Sequence, residues 1–154
     1  MIDNNLVAPC GIYCGACRQY LLWKKDLLEE RGYKLGCKGC RIRNKNCAFI
    51  RKDCSHLRKK ELEYCYECEN FPCGKLERLD ALYQERYSVN LVANLERIKE
   101  IGAGNWLLEQ KNLYTCPNCG GEICIHDAEC YDCGIKINPN KKLGGNKNDK
   151  NSYR

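Results

Sequence analysis

Residues 115–137 read TCPNCGGEICIHDAECYDCGIKI, and this stretch contains two Cys-x2-Cys pairs, Cys116 with Cys119 and Cys130 with Cys133. Two cysteines at this spacing can direct both thiolates at one metal ion across a short turn, and two such pairs complete the tetrahedron of a structural zinc site. The arrangement is typical of a zinc ribbon. We therefore expect one closed site here, with no position left for a substrate or a water molecule.

Glycines and an alternating segment accompany the two pairs. Glycine lets backbone N–H groups turn toward thiolate sulfurs, and it follows both pairs, at Gly120, Gly121 and Gly134. Residues 122–127 alternate two isoleucines with Cys124 and His126, a pattern that predicts a half-buried strand. Cys124 is expected to be a small buried residue, and His126 a surface or strand-pairing residue.

Cysteine is frequent along most of the chain: fifteen of 154 residues are cysteine, against two histidines. Such a density implies cross-linking by disulfides or by metal ions. The N-terminus, MIDNNLVAPCG, has no basic segment followed by an apolar run, so we expect no secretory signal, a cytoplasmic location and reduced thiols. No apolar stretch of about 18 residues occurs, and no membrane span is predicted.

The first 73 residues contain a second and denser series of potential metal ligands. The candidates are Cys10, Cys14, Cys17, Cys37, Cys40, Cys47, Cys54, His56, Cys65, Cys68 and Cys73. Our allocation places Cys14, Cys17, Cys37 and Cys40 in one site, and Cys47, Cys54, Cys65 and Cys68 in another. Cys10, His56 and Cys73 then remain as possible additional ligands. Other pairings of the cysteines between the two sites stay open. With the C-terminal pairs, the chain is expected to bind about three zinc ions.

Three blocks of this region, in the same order, resemble a known family. CGIYCGACRQY at 10–20, CKGCR at 37–41 and CSHLRKKELEYCYECENFPCGKLERL at 54–79 are similar to the domain of unknown function 3795. The resemblance covers about residues 8–80. It implies a cysteine-rich, zinc-binding module of the cytoplasm and no particular activity. The stretch at 116–133 lies outside it and is interpreted as an appended zinc ribbon.

Iron is the alternative metal for the N-terminal cysteines. Cys10-x3-Cys14-x2-Cys17 matches the loop that holds a [4Fe–4S] cluster in radical S-adenosylmethionine enzymes, but the barrel that those enzymes need is absent from the pattern. A simple iron–sulfur cluster with a redox or metal-handling role remains the alternative. His56 is the only potential catalytic base near these cysteines, and no catalytic residues are predicted.

The formal charge of +6 raises the question of partners. Residues 18–63 hold fourteen Lys and Arg against six Asp and Glu. A zinc ion bound by four thiolates carries a charge of −2, so three such sites would cancel the formal charge. Direct nucleic-acid binding is therefore only weakly supported, and we favour an adaptor with a protein partner.

Helical patterns account for the rest of the chain. Residues 75–87 and 89–101 predict a helical hairpin, the second helix capped by Ser88, and Asn105 is expected to cap a third, short helix. Residues 19–31 predict an amphipathic helix with Trp23 in its core face.

The predicted fold is a small metal-stabilised α+β protein. It comprises an irregular cysteine-rich zinc module with short helices, a central helical hairpin and a three-stranded zinc ribbon. The expected segments are 1–73 for the module, 74–115 for the helices, 116–137 for the ribbon and 138–154 for a disordered basic tail.

Overall fold

The structure is a computed structural model that describes residues 3–43 and 54–141. Its helices are α1 (Arg18–Lys24), α2 (Cys40–Arg43), α3 (Ser55–Arg58), α4 (Gly74–Tyr87), α5 (Leu91–Ile101) and α6 (Ala103–Leu113). Short 3-10 turns lie at Asn4–Leu6, Cys14–Ala16 and Cys65–Glu67, and two strands are present, β1 (Ile123–Cys124) and β2 (Glu129–Cys130). None of the helices within these ranges is long and apolar enough to cross a bilayer.

Helices α4 and α5 pack against each other as the predicted hairpin, and α6 packs on α5, because each of the three buries one apolar stripe. The buried side chains are Leu76, Leu79, Leu91, Leu95, Ile98, Trp106 and Leu107. Two predicted caps are wrong. Ser88 ends α4 in a left-handed conformation, and Asn90 caps α5 by accepting from the Ala93 N–H at 2.8 Å. Asn105 lies inside α6, where its side chain donates to the Ile101 carbonyl.

Helix α1 is shorter than the predicted helix over 19–31. It ends at Lys24, Asp26 takes a left-handed φ of 58°, and the Leu27 N–H donates to the Leu22 carbonyl at 2.8 Å. This turn folds the following leucines back onto the same small core that Leu21 and Leu22 enter. The expectation for Trp23 is also wrong, because its side chain is 41% exposed.

The sheet is smaller than the predicted three-stranded ribbon. Within the described ranges only β1 and β2 pair, antiparallel, with Ile123 opposite Cys130. Isolated bridges join Thr115 to Glu122 and Glu129 to Lys136 on either side. Because the two Cys-x2-Cys loops take up most of this stretch, the backbone between them has room for only two paired residues on each strand.

Both faces of β1 are buried, so the expected half-exposed strand is wrong as well. Ile123 and Ile125 enter the main hydrophobic core, which also contains Leu76, Leu95 and Trp106. Cys124 points the other way and packs with Leu21, Leu22 and Tyr131. The alternation in the sequence is therefore real and Cys124 is buried as expected, but α1 covers the whole second face of the strand.

Candidate metal centre

Four cysteine side chains converge near the C-terminus. The sulfurs of Cys116, Cys119, Cys130 and Cys133, here called the four-cysteine cluster, all lie within 4.8 Å of one another. The Cys116 and Cys133 sulfurs are 3.8 Å apart, and those of Cys119 and Cys130 are 3.6 Å apart. Among the described residues, no other group of three or more potential ligands is this close. The two pairs singled out in the sequence thus form one four-sulfur cluster that can hold a metal ion.

Backbone N–H groups point at the sulfurs of this cluster. At three of the cysteines, the backbone N–H two residues further along the chain donates to the cysteine sulfur at 3.3 Å. The donors are Asn118 for Cys116, Gly121 for Cys119 and Asp132 for Cys130. The Asn118 side-chain amide donates to the Cys133 sulfur, also at 3.3 Å. Such donors stabilise thiolate ligands, which would otherwise carry most of the negative charge alone.

Each pair lies in a loop that main-chain hydrogen bonds close. The Cys116 N–H donates to the Gly121 carbonyl at 2.8 Å, and the Cys130 N–H donates to the Ile135 carbonyl at 2.9 Å. Gly120 and Gly134 follow the second cysteine of each pair with φ angles of 80° and 85°, a conformation that costs glycine little. The local sequence therefore brings the thiols of each pair together in the same way.

The thiols of the cluster affect one another's ionisation. Hydrogen bonds from the Asn118 amide and the Ile135 N–H lower the pKa of Cys133 to about 6. The Gly121 N–H favours the thiolate of Cys119, but lost hydration and the neighbouring thiols outweigh it and raise the pKa of Cys119 to about 12. Four thiols at this separation cannot all ionise without a cation, so the donor set suits a thiophilic divalent metal.

Helix α1 and the turn after it hold the C-terminal module, which we define as residues 114–137. Four basic residues of this segment face four acidic residues of the module: Arg18 pairs with Asp127, Lys24 and Lys25 with Glu122, Lys25 also with Asp132, and Arg31 with Glu129. Hydrogen bonds from Lys25 hold the pKa of Asp132 below its usual value. The charge pattern of the two segments could have indicated this contact.

The Arg18–Asp127 pair has the best geometry of these contacts. Arg18 donates to the carboxylate from Nη2 at 2.8 Å and from Nε at 3.2 Å. Tyr131 donates its hydroxyl to the other oxygen of Asp127. The pKa of Asp127 is lowered, because these hydrogen bonds and the charge of Arg18 outweigh the effect of its partial burial. The pair therefore links the start of α1 to the loop between β1 and β2.

His126 is part of the same contact rather than the surface or strand-pairing residue expected. Its Nδ1 accepts from the Arg18 N–H at 3.2 Å, so Nε2 carries the proton and donates to the Tyr83 hydroxyl at 3.0 Å. Tyr87 packs edge-on against the ring. Burial, reinforced by the charge of Arg18, lowers the pKa of His126 to about 4. A neutral imidazole thus joins α1, α4 and the C-terminal module.

The N-terminal cysteines are close to one another but less tightly grouped. The Cys40 N–H donates to the Cys14 sulfur at 3.5 Å, and the Gly39 N–H donates to the Cys37 sulfur at 3.3 Å. The first of these contacts brings together two members of the first predicted site. All fourteen cysteines in the described ranges carry thiols rather than disulfides. Cys47, assigned to the second predicted site, lies outside the described residues.

Cys10 and Cys73, which our allocation left over, interact electrostatically with Cys65 of the second predicted site. The charges of Cys10, Cys54, Cys73 and Cys68 all act on the Cys65 thiol, whose pKa is raised first of all by burial. His56 is different, because its side chain is exposed and its Nδ1 lies 2.7 Å from Glu61 Oε1. The sequence had left Cys10 and Cys73 open as possible additional ligands, and the bond from the Cys65 N–H to the Pro9 carbonyl brings the loop of Cys10 against Cys65.

Comparison with known proteins supports the relationship inferred from the N-terminal cysteine motifs. Residues 6–78 match the family model described as protein of unknown function, DUF3795. The predicted resemblance is confirmed. No curated protein and no solved structure matches the chain. The four-cysteine cluster lies outside the DUF3795 segment, our term for residues 6–78.

A cleft separates the DUF3795 segment from the four-cysteine cluster on one side of the molecule. Its volume is about 610 Å³, and Tyr13, Lys111, Cys119 and Asp132 are among the residues that line it. Cys119 is the cluster member that faces this opening. Because the sulfur ligands number four, a bound metal would have no vacant position toward the cleft, which argues against metal-assisted catalysis there.

Proposed function

We propose that the chain is a zinc-stabilised binding module of the cytoplasm. The observation that carries the proposal is the four-cysteine cluster, whose sulfurs and backbone N–H donors match the ligand set of a structural zinc site. Zinc fits better than magnesium or calcium, which prefer oxygen ligands. Reduced thiols are consistent with a reducing compartment.

The metal has a structural role in this proposal. A closed tetrahedron neither activates water nor polarises a substrate, so its contribution is to fix the two loops of the C-terminal module. Those loops carry Glu122 and Asp132, which pair with Lys25. Zinc therefore positions the acidic side chains that dock on α1, and loss of the ion releases this contact.

The surface offered to a partner is the face formed by Trp23, Leu35 and Lys38, here called the Trp23 face. Trp23 is 41% and Leu35 64% exposed, and the Lys38 Nζ lies 5.4 Å from the centre of the Trp23 ring. The Trp23 Cβ also lies next to Gly36, where any larger residue would collide with it. An exposed tryptophan held in place by its neighbours is a common anchor at protein interfaces.

The partner that fits this face is an acidic protein segment with an apolar residue. Lys34 and Lys38 have no carboxylate partner among the described residues, so both charges are available. An apolar side chain on the partner would cover Trp23, and its carboxylates would meet the lysines. The basic residues of α1 and the turn after it pair with carboxylates of the C-terminal module, which favours protein over a nucleic-acid backbone.

Metal analysis of anaerobically purified protein tests the zinc proposal. The wild-type chain should contain zinc and no acid-labile sulfide, and Cys119→Ser with Cys133→Ser should lose one zinc ion per chain. Cys124→Ala is the control, because Cys124 is buried outside the cluster and should leave the zinc content unchanged. Iron with sulfide would contradict the proposal and favour the redox alternative, and equal zinc content in the double variant would contradict zinc binding by the four-cysteine cluster.

Selection from displayed peptides tests the Trp23 face. We expect the wild-type chain to enrich acidic peptides that contain an apolar residue, and expect Trp23→Ala and Lys38→Glu each to weaken their binding at least tenfold, or about 1.4 kcal/mol. Leu108→Ala, on an exposed leucine of α6, should bind normally. Tight binding of a poly(dT) oligonucleotide that the same variants abolish would instead assign the face to nucleic acid.

A further inference from the structure

We propose a second zinc site in the DUF3795 segment, in which Cys10, Cys65 and Cys73 are ligands and either Cys54 or Cys68 is the fourth. The inference rests on the proposed metal-binding function and names residues for it that sequence spacing left unassigned. It replaces the allocation that grouped Cys47 and Cys54 with Cys65 and Cys68. Zinc is the metal class expected, because the ligands are thiolates.

The main chain brings Cys10 and Cys65 together. The Cys65 N–H donates to the Pro9 carbonyl at 2.9 Å, so the 3-10 turn Cys65–Glu67 lies against the loop that carries Cys10. That loop is itself closed, because the Gly11 N–H donates to the Ala8 carbonyl at 3.0 Å. A Cβ on Gly11 would lie 2.8 Å from the Leu91 carbonyl oxygen, which shows how tightly the loop packs on α5.

Cys73 approaches the same place from α4. It is the residue that precedes the helix, and its side chain makes no capping hydrogen bond. Cys73 and Cys54 both pack against the core that contains Cys10 and Cys65. The start of α4 therefore places the Cys73 thiol at the edge of the core that buries these two thiols.

Local geometry at Cys68 repeats that of the four-cysteine cluster. The Asn70 N–H donates to the Cys68 sulfur at 3.4 Å, at the same offset as the Gly121 N–H on Cys119. The Cys65–Glu67 turn is closed by the Cys68 N–H on the Cys65 carbonyl at 3.1 Å. A pair that already has this form requires little rearrangement of its backbone to bind a metal.

Charge supplies the chemical reason for a cation at this position. Cys10 is 1% exposed and Cys65 is 9% exposed, so thiolates at this position would be largely cut off from water and would need a cation beside them. Only the four-cysteine cluster, among the described residues, brings its ligand atoms within 4.8 Å of one another. Binding of zinc here would thus draw the sulfurs inward while the backbone stays in place, since rotation about χ1 moves a sulfur without moving the chain.

Native mass spectrometry of the full chain, after equilibration with a weak chelator, tests the site. Cys10→Ser and Cys73→Ser should each lose one zinc ion relative to wild type, and so should one of Cys54→Ser and Cys68→Ser. Cys124→Ala should lose none. Unchanged zinc content in Cys10→Ser or in Cys73→Ser would overturn the proposal.

A second background separates this result from failure of the four-cysteine site and from misfolding. The double variant Cys119→Ser with Cys133→Ser should still bind zinc, and adding Cys10→Ser should remove one further ion. If the double variant binds no zinc at all, the second site does not exist, although the four-cysteine site stands. If the double variant has the zinc content of wild type while Cys10→Ser loses one ion, the four-cysteine site fails and the second site stands.

Discussion

Gly121 lies where the two loops of the four-cysteine cluster meet. Its N–H donates to the Cys119 sulfur, its carbonyl accepts from the Cys116 N–H, and the Asp132 side chain packs directly against its Cα. Asp132 is held there because it accepts from the Glu122 N–H at 2.8 Å and pairs with Lys25. The space at this glycine is therefore filled by a carboxylate that has two other partners.

We predict that Gly121→Ala destabilises the protein by about 1–3 kcal/mol, a typical cost of overpacking. A Cβ at this position would lie 2.6 Å from the Asp132 Cβ, so the carboxylate would have to move away from its partners. Gly74→Ala is the control, since a Cβ there meets only the end of the Arg78 side chain at 3.5 Å. Equal denaturation midpoints for Gly121→Ala and Gly74→Ala, measured with zinc present, would argue against this packing.

The second residue-scale prediction concerns His126 and pH. Its pKa in the folded protein is about 4, against about 6.5 in an unfolded chain, so the unfolded state takes up a proton first as the pH falls. The stabilisation is complete above pH 6.5 and is lost progressively down to pH 4, by up to about 2 kcal/mol at pH 5. His126→Gln should show a smaller loss of unfolding free energy between pH 7 and pH 5. Parallel pH profiles would contradict a neutral buried imidazole.

At the scale of elements, the contact between α1 and the C-terminal module distinguishes this structure from two independent metal-binding units. The contact combines apolar packing of Leu21 and Leu22 on Tyr131 with the row of charge pairs around Arg18 and Lys25. A main-chain bond from the Ile125 N–H to the Ala16 carbonyl, 2.8 Å long, adds to it. The C-terminal module is thus built onto the DUF3795 segment.

Arg18→Gln should therefore destabilise the protein more than Arg97→Gln does. Arg18 bonds a half-buried carboxylate with two nitrogens, whereas the Arg97–Glu109 pair is on the surface, with both side chains more than 40% exposed. We expect a loss of about 1–3 kcal/mol for Arg18→Gln and clearly less for Arg97→Gln. Chemical denaturation with zinc in excess measures both, and equal losses would show that the Arg18 contact contributes little.

Some of these elements could be predicted from the sequence, and others could not. The four-cysteine cluster and the stripes of α4 and α5 were predictable because their determinants lie within about twenty residues of one another. The end of α1 at Lys24 was not, because the leucines after the left-handed turn at Asp26 pack on a small core that includes Tyr131, which lies far away along the chain. The third strand expected in the ribbon is not found among the described residues for a different, local reason, since loop closure within each cysteine pair competes with strand pairing.

At the scale of the whole molecule, one main core spans the DUF3795 segment, the three long helices and the C-terminal module. It contains Tyr13, Leu95, Trp106 and Ile123, which come from all of these parts. Asn138 and Asn140 extend the contact, donating to the Tyr87 carbonyl and the Tyr114 hydroxyl. Loss of metal from the four-cysteine cluster should consequently disturb parts of the protein other than the ligand loops, while the packing of the long helices should persist.

Hydrogen exchange can show which residues are affected by metal loss and which are not. In the Cys119→Ser, Cys133→Ser variant we expect amide protection to fall across residues 114–137 and in α1, because the apolar face of α1 loses its cover. Helices α5 and α6 should keep their protection, since Leu95, Ile98 and Trp106 belong to the main core together with α4. Loss of protection throughout the chain would mean that the four-cysteine cluster supports the entire fold, and no loss would mean that it supports none of it.

The most direct test of the account is X-ray absorption at the zinc edge of the anaerobically purified full chain. Zinc should be present, and its nearest neighbours should be sulfur atoms only, four for each ion at about 2.3 Å. An oxygen neighbour, as from bound water, would mean an open site and reopen the case for catalysis. Absence of zinc, with iron in its place, would contradict the central claim that the four-cysteine cluster is a closed structural zinc site.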